Sequence, residues 1–218
     1  MQGSCQYIPN QMKTARQMAM RLPTWGGRRA GAGRKPKGRR ALVSHKARPG
    51  FEKAAAVHVT LRVADHVWNL RSRRCFRLIE TCLADARGRF GLRVIEFTVL
   101  GNHLHLLIEA DSAHSLSRGM QGLGIRVAKA LNRLMRRPGR VFGDHYHSRL
   151  LRTPAELVNA IAYVLGNHAH HFGGPRRLDT FSSAAYAPER RELVLSHPRA
   201  WLLRTGWRRA RRRPLWLR

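Results

Sequence analysis

Val99-Leu-Gly-Asn-His-Leu-His-Leu-Leu-Ile-Glu109 is the stretch that decides how this chain is read. Branched and apolar residues alternate along it as they do in a strand, where residues two apart share a face. His103 and His105 therefore point the same way, and Leu104, Leu106 and Ile108 point the other way into a core. Two neutral imidazoles on one face can converge on a single cation and leave its other positions open to water or phosphate oxygens. Taken alone, a His-x-His pair is more often two polar side chains on a solvated strand face. The rest of the sequence argues for the metal.

Working outward, Gly101-Asn102 reads as the tight turn into this strand from a preceding one, Leu92 to Leu100. Val57 to Val63 alternates as an earlier strand, and Asn69 to Arg87 has the apolar intervals of a helix. After the histidines, Leu116, Met120, Leu123, Val127, Leu131 and Leu134 form a helical apolar stripe. Arg126, Lys129, Arg133 and Arg136 fall on the opposite side of that helix as a basic ridge, suited to phosphate or simply solvated. Phe142 to Leu151 reads as a fourth strand. The order strand–helix–strand–strand–helix–strand predicts an α+β, ferredoxin-like antiparallel sheet with helices on one face.

One more helix follows. Thr153-Pro-Ala-Glu156 is an N-terminal capping signature, with Pro at the first helical position and Glu reaching back. Leu157, Val158, Ile161, Val164 and Leu165 share its apolar face. Tyr163, Asn167 and His170 share the other, which is an unusual place for a tyrosine whose role is only to pack.

Charge points to the partner. The 218 residues hold 42 Lys and Arg against 12 Asp and Glu, a formal charge of +30, as expected of a chain that meets a phosphate backbone. No apolar run is long enough to span a bilayer, so no membrane partner is expected. Cys5, Cys75 and Cys82 lack zinc-type spacing and read as reduced thiols. Residues 1–50 carry twelve Lys or Arg and no acid; they read as a disordered basic arm, with Arg28, Arg29, Arg34, Lys35, Lys37, Arg39 and Arg40 at its centre. That arm is either a DNA tether, reaching a minor groove, or a solubilising tail. Residues 51–172 form the expected catalytic domain, and 173–218 a basic extension in which Trp201, Trp207 and Trp216 suit base stacking or docking on the domain.

A histidine pair, a polar-face tyrosine and this charge fit one chemistry. A phenol can attack a phosphodiester and conserve its bond energy as phosphotyrosine. Its ordinary pKa near 10 makes it a weak nucleophile, so it needs help. Mg²⁺ or Mn²⁺ on His103 and His105 can polarise the phosphate, with the Asn167 amide oxygen as a third ligand.

Residues 55–172 resemble the single-tyrosine HUH transposases, and within them the REP-associated and IS200-like tyrosine transposases. Gly101-Asn-His-Leu-His-Leu-Leu-Ile108 is similar to that family's Pro-Asn-His-hydrophobic-His strand. Val141-Phe-Gly-Asp-His-Tyr-His-Ser-Arg-Leu150 is similar to the strand before its tyrosine helix, and Tyr163-Val-Leu-Gly-Asn167 to its Tyr-x-x-x-Asn segment. The resemblance implies a ferredoxin-like fold and metal-dependent cleavage and rejoining of single-stranded DNA beside hairpins, through a 5′-phosphotyrosine. It implies a cytoplasmic, nucleoid-associated protein of bacterial type, with single-stranded or hairpin DNA as partner and a homodimer left open. Gly101 replaces the family's Pro, and His168 stands where it usually has Pro, followed by His170 and His171. His170 is an alternative ligand or acid–base group, or only a polar helix end. Tyr146 is a competing nucleophile, and His145 and His147 are a second same-face pair. A non-catalytic hairpin-binding relative would keep the basic surfaces but would need neither the phenol nor the metal.

The arm generates a prediction. Deleting residues 1–50 should flatten the salt dependence of DNA binding, measured as the slope of log affinity against log salt, and leave hairpin preference intact. An unchanged slope would make the arm a solubilising tail.

Overall fold

Four strands adopt the alternation written in the sequence. The computed structural model describes residues 50–172 and 179–211, with backbone alone for 168–172. The arm residues Arg28, Arg29, Arg34, Lys35, Lys37, Arg39 and Arg40, the side chains of His168, His170 and His171, and Trp216 lie outside the described residues. The described elements are β1 (Ala55–Arg62), α1 (Arg73–Asp85), β2 (Leu92–Val99), β3 (His103–Ala110), α2 (Ala113–Leu134), β4 (His147–Leu151) and α3 (Pro154–Phe172). Two short helices follow, α4 (Pro188–Val194) and α5 (Trp201–Arg204). The sheet runs β2-β3-β1-β4, and every pairing is antiparallel. This is the expected ferredoxin-like α+β arrangement.

Period two separates the two faces of the sheet. Val57, Val59 and Leu61 of β1 and Leu104, Leu106 and Ile108 of β3 pack against α1 and α2. The helical stripe Leu116, Met120, Leu123, Val127 and Leu131 is buried there as the sequence predicts. Gly119 brings α2 onto β2: a Cβ at that position would lie 2.5 Å from the Cβ of Leu92. Ser72 and Ser112 cap α1 and α2 by accepting from the N–H of Cys75 and Ser115. Cys75 and Cys82 are buried thiols, and burial beside Asp85 pushes Cys82 up to about 11, leaving it a protonated packing group.

The other face carries a second core. Ala56, Leu107 and Leu151 pack there with Leu157 and Ala160 of α3 and with Leu203 of α5. The tyrosine helix thus lies across the sheet from α1 and α2. Its start follows the capping signature: Thr153 Oγ1 accepts from the Glu156 N–H at 3.2 Å, and Glu156 Oε2 accepts from the Thr153 and Arg152 N–H groups at 3.2 and 2.8 Å.

Two boundaries differ from the sequence reading. The first helix begins at Arg73, after the Ser72 cap, and the fourth strand begins at His147, not Phe142. Phe142 makes a single bridge to Val63, and the chain then leaves the ladder until Thr60 pairs with His147. Gly143-Asp144 is a turn-type pair that marks this interruption, and the strand reading runs through it.

Residues 179–211 wrap round the β2 edge from one face to the other. Asp179 is held by two Arg71 contacts of 2.8 Å, and Val99 N–H donates to Phe181 O at 2.8 Å. Tyr186 enters the main core, where its hydroxyl donates to Glu80 at 2.6 Å beside Arg190. On the far face, the fully buried Glu109 carboxylate accepts from Arg93 Nε at 2.6 Å and from the N–H groups of Arg199 and Ala200 at 2.9 and 2.7 Å. Trp207 packs into the second core, whereas Trp201 remains exposed.

Two glycines should respond oppositely to the same change. Gly119→Ala forces α2 off β2 and should destabilise by about 1–3 kcal/mol, the usual cost of overpacking. Gly166→Ala in α3 meets nothing within 4 Å and should gain up to about 1 kcal/mol of helix propensity. Urea unfolding of both variants measures the difference.

Candidate active site

The site is built on the sheet face that α3 covers only in part. His103 and His105 project from β3 onto that face, as their spacing predicts. Antiparallel pairing places Thr98 on one side of His105 and Thr60 on the other, with His147 beyond Thr60 on the edge strand. The two imidazoles meet edge to face, with ring centroids 4.8 Å apart and their Nε2 atoms 3.1 Å apart. His103 Nδ1 lies 2.7 Å from Asn102 Oδ1. An amide oxygen only accepts, so that contact puts the His103 proton on Nδ1 and the lone pair on Nε2, facing His105.

Tyr163 stands over His105 and its neighbour on β1, His58. Its ring centroid is 5.0 Å from that of His105 and 5.6 Å from that of His58, edge-on to both. The residue is 41% exposed, so its phenol is accessible from outside. Asn167, one helical turn further, is only 1% exposed. It lies deeper than a polar-face residue of α3 is expected to lie. Neither its amide nitrogen nor its oxygen has a hydrogen-bond partner among the described residues.

The structure adds one residue that sequence reasoning missed. His58 of β1 stacks on His105, with centroids 5.2 Å apart and planes 29° apart, and its Nε2 is 3.2 Å from His105 Nδ1. Thr60 Oγ1 approaches the same Nδ1 at 3.0 Å. Burial, with the charges of His147 and Arg149 nearby, pushes His58 down to about 4, so it is neutral at physiological pH. Alternation in Val57-His-Val-Thr60 already puts both residues on one face; only the β1–β3 register shows that this face adjoins His105.

Other expected residues lie elsewhere. Tyr146 packs on the opposite face, on the main core, beside Phe51 and Leu116 in a cavity of about 210 Å³. Lys129 and Arg133 are exposed along α2, Arg136 is exposed just past its end and Arg126 is half-buried, all across the sheet from the histidines. His145 and His147 are exposed; His147 flanks the site from β4.

The residues fit a divalent cation. Neighbouring ligands on a small octahedral ion, each about 2.1 Å from it, stand about 3 Å apart, close to the separation of the two Nε2 atoms. The unpartnered buried amide of Asn167 has an oxygen of the type such an ion takes as a further ligand. Among the described residues no group of three or more His, Cys, Asp or Glu is placed to hold a metal ion, so the histidine pair would need an oxygen ligand of another kind.

Comparison with solved structures places the fold. A REP-associated tyrosine transposase bound to a REP hairpin superposes with a TM-score of 0.53 at 12% identity, over 64% of this chain and 82% of that one. A Deinococcus radiodurans protein assigned as a transposase overlaps less well, with a TM-score of 0.39 at 16% identity, over 49% of this chain and 86% of that one. No protein-family model and no curated protein matches the sequence. The chain has the fold of the REP-associated tyrosine transposase, the class its histidine and tyrosine motifs resemble. No helix among the described residues is long and apolar enough to cross a membrane.

The buried amide generates a prediction. Replacing an unpartnered polar group with an apolar one of similar volume removes a desolvation cost, so Asn167→Leu should stabilise the apo protein by about 1–3 kcal/mol. The same change should weaken Mn²⁺ binding. Urea unfolding in chelator and calorimetric titration measure the two effects, and a destabilised variant would assign Asn167 a packing role.

Proposed function

We propose that this chain is a tyrosine transposase, a metal-dependent enzyme that cleaves and rejoins single-stranded DNA beside a hairpin. The reading is carried by one juxtaposition: an accessible phenol within 5.0 Å, ring to ring, of a histidine whose Nε2 meets a second histidine's Nε2. A hairpin-binding module has no use for that arrangement. The solved transposase of the same fold, which is bound to a REP hairpin, supports hairpin DNA as the partner.

Tyr163 is the nucleophile. Its oxygen bonds to the scissile phosphorus as the bond from phosphorus to the 3′ oxygen breaks. The phenol gives its proton to solvent, and the departing oxygen takes one up as a free 3′-hydroxyl. The 5′-phosphate stays on Tyr163, so a 3′-hydroxyl can later attack it and release the tyrosine, restoring the phosphodiester. Mg²⁺ or Mn²⁺ held by His103, His105 and Asn167 would supply the charge that polarises the phosphate. His58 and His105 hold the tyrosine ring edge-on, which orders the nucleophile before DNA arrives. Tyr146 is disfavoured as the nucleophile because it packs on the other face of the sheet.

Incubating the protein with labelled hairpin oligonucleotides from the DNA flanking its gene, in Mn²⁺, should give a covalent adduct on a denaturing gel. Tyr163→Phe should abolish the adduct and keep DNA binding, while Tyr146→Phe retains it. The His103→Ala/His105→Ala variant should lose both Mn²⁺ affinity and the adduct. An adduct mapped to Tyr146 would overturn the nucleophile, and hairpin binding with no adduct from wild type would favour the non-catalytic relative.

A further inference from the structure

We infer that Arg62 and Arg149 mark the path of the single-stranded DNA, gripping backbone phosphates on either side of the one presented to Tyr163. The inference deepens the proposed function and rests on its reading of a single-stranded substrate.

The pairing register fixes where these two arginines stand. Residues directly opposite each other in an antiparallel ladder share a face of the sheet. His103 and His105 lie on the face that carries Tyr163, so Arg62, opposite His103, projects there as well. Arg149 does so from the edge strand, opposite His58. Residues 58 and 62 are four apart on β1, about 13 Å at the rise of an extended strand. His105 is level with Thr60, midway between them, and Tyr163 stands edge-on to His105 and His58. The tyrosine ring therefore falls within the span that the two arginines mark.

Both side chains are open to an outside anion. α3 packs chiefly on β2 and β3, and on the β1–β4 half of this face Arg62, His147 and Arg149 are exposed. Arg62 makes no ion pair among the described residues. Arg149 has one long contact, 3.5 Å to Glu156, with its own side chain 66% exposed. That carboxylate already accepts from the N–H groups of Arg152 and Thr153, and so exposed an ion pair contributes little. A guanidinium is planar, stays charged at physiological pH, and presents paired donors that match a phosphate. Two of them on an uncovered strip beside a helix make a positive groove of the kind that follows a single-stranded backbone. The basic ridge of α2 cannot take that part, because it lies across the sheet.

Binding of two DNAs to the full chain tests this, in a Tyr163→Phe background that removes the covalent step. One DNA is a hairpin taken from beside the gene, and the other is the same hairpin with a single-stranded overhang. The overhang should raise affinity in the parent. In Arg62→Gln/Arg149→Gln, the slope of log affinity against log salt for the overhang DNA should fall by about 1.4, from about 0.7 for each single-strand phosphate contact. The slope for the blunt hairpin should not change. Arg62→Lys/Arg149→Lys keeps the charges and should restore most of the slope. Lys129→Gln/Arg133→Gln, on the other side of the sheet, should change both affinities by the same factor. An overhang slope equal in the parent and the double glutamine variant would overturn the inference, and so would an equal loss on both DNAs. An overhang that adds no affinity in the parent would instead overturn the reading of a single-stranded substrate, and the inference with it.

Discussion

Strand β3 is hydrogen-bonded on both sides, by β2 and β1, and its period-two alternation divides one strand between two tasks. Leu104, Leu106 and Ile108 anchor the core under α1 and α2, while His103, His105 and Glu109 take the other face. A slip of one residue in either ladder would exchange these sets. It would bury two imidazoles and a carboxylate among leucines without partners, at a cost of several kcal/mol. The packing that stabilises the domain therefore also aims the imidazoles. No separate device is needed to hold them on the face where Tyr163 stands.

The two ends of β3 serve different purposes on that shared face. At the start are the histidines, His103 partly open to solvent and His105 buried. Near the end Glu109 is closed in, and its partners come from β2 and from the extension. A buried carboxylate with three charged or backbone donors is costly to disturb, because any one loss leaves charge unpaired in a low-dielectric site. This anchor draws residues 199 and 200 under the sheet and seats Leu203 and Trp207 beside Leu157 and Ala160. The helix that carries Tyr163 is thus supported from both sides. The wrap also covers the β2 edge, which would otherwise offer unpaired backbone groups to another chain.

The basic ridge of α2 and the proposed chemistry lie on different sides of the sheet. Lys129 and Arg133 face outward from α2 and Arg136 from just past its end, whereas the histidines lie on the face of the sheet that α3 and its Tyr163 cover. A strand lying over the phenol does not reach the α2 ridge across the thickness of the domain. The basic side chains in register with the site are instead Arg62, paired with His103, and Arg149, paired with His58 from the open edge strand. That edge is the approach to the site that no element of the described chain covers.

Much of this was legible in the sequence. The alternation around His103 and His105, the helical stripe from Leu116, and the Thr153–Glu156 cap each encode a local periodicity or a local hydrogen bond. Such features depend only on neighbours a few residues apart. The polar-face placement of Tyr163 and the motifs shared with tyrosine transposases followed from the same local order. His58 and Thr60 did not, because a strand's own sequence says which residues share a face but not which foreign residues that face meets. That information lies in the register of β1 against β3, forty-five residues away in the chain. The burial of Asn167 and the wrap of the extension are likewise decided by long-range closure, since a polar residue on a helix cannot signal what the helix will pack against. The sequence by itself determined the elements, their order and the chemical types of the site. Only the tertiary structure decided which of them touch, because hydrophobic burial fixes the layers and the pairing register then selects the neighbours.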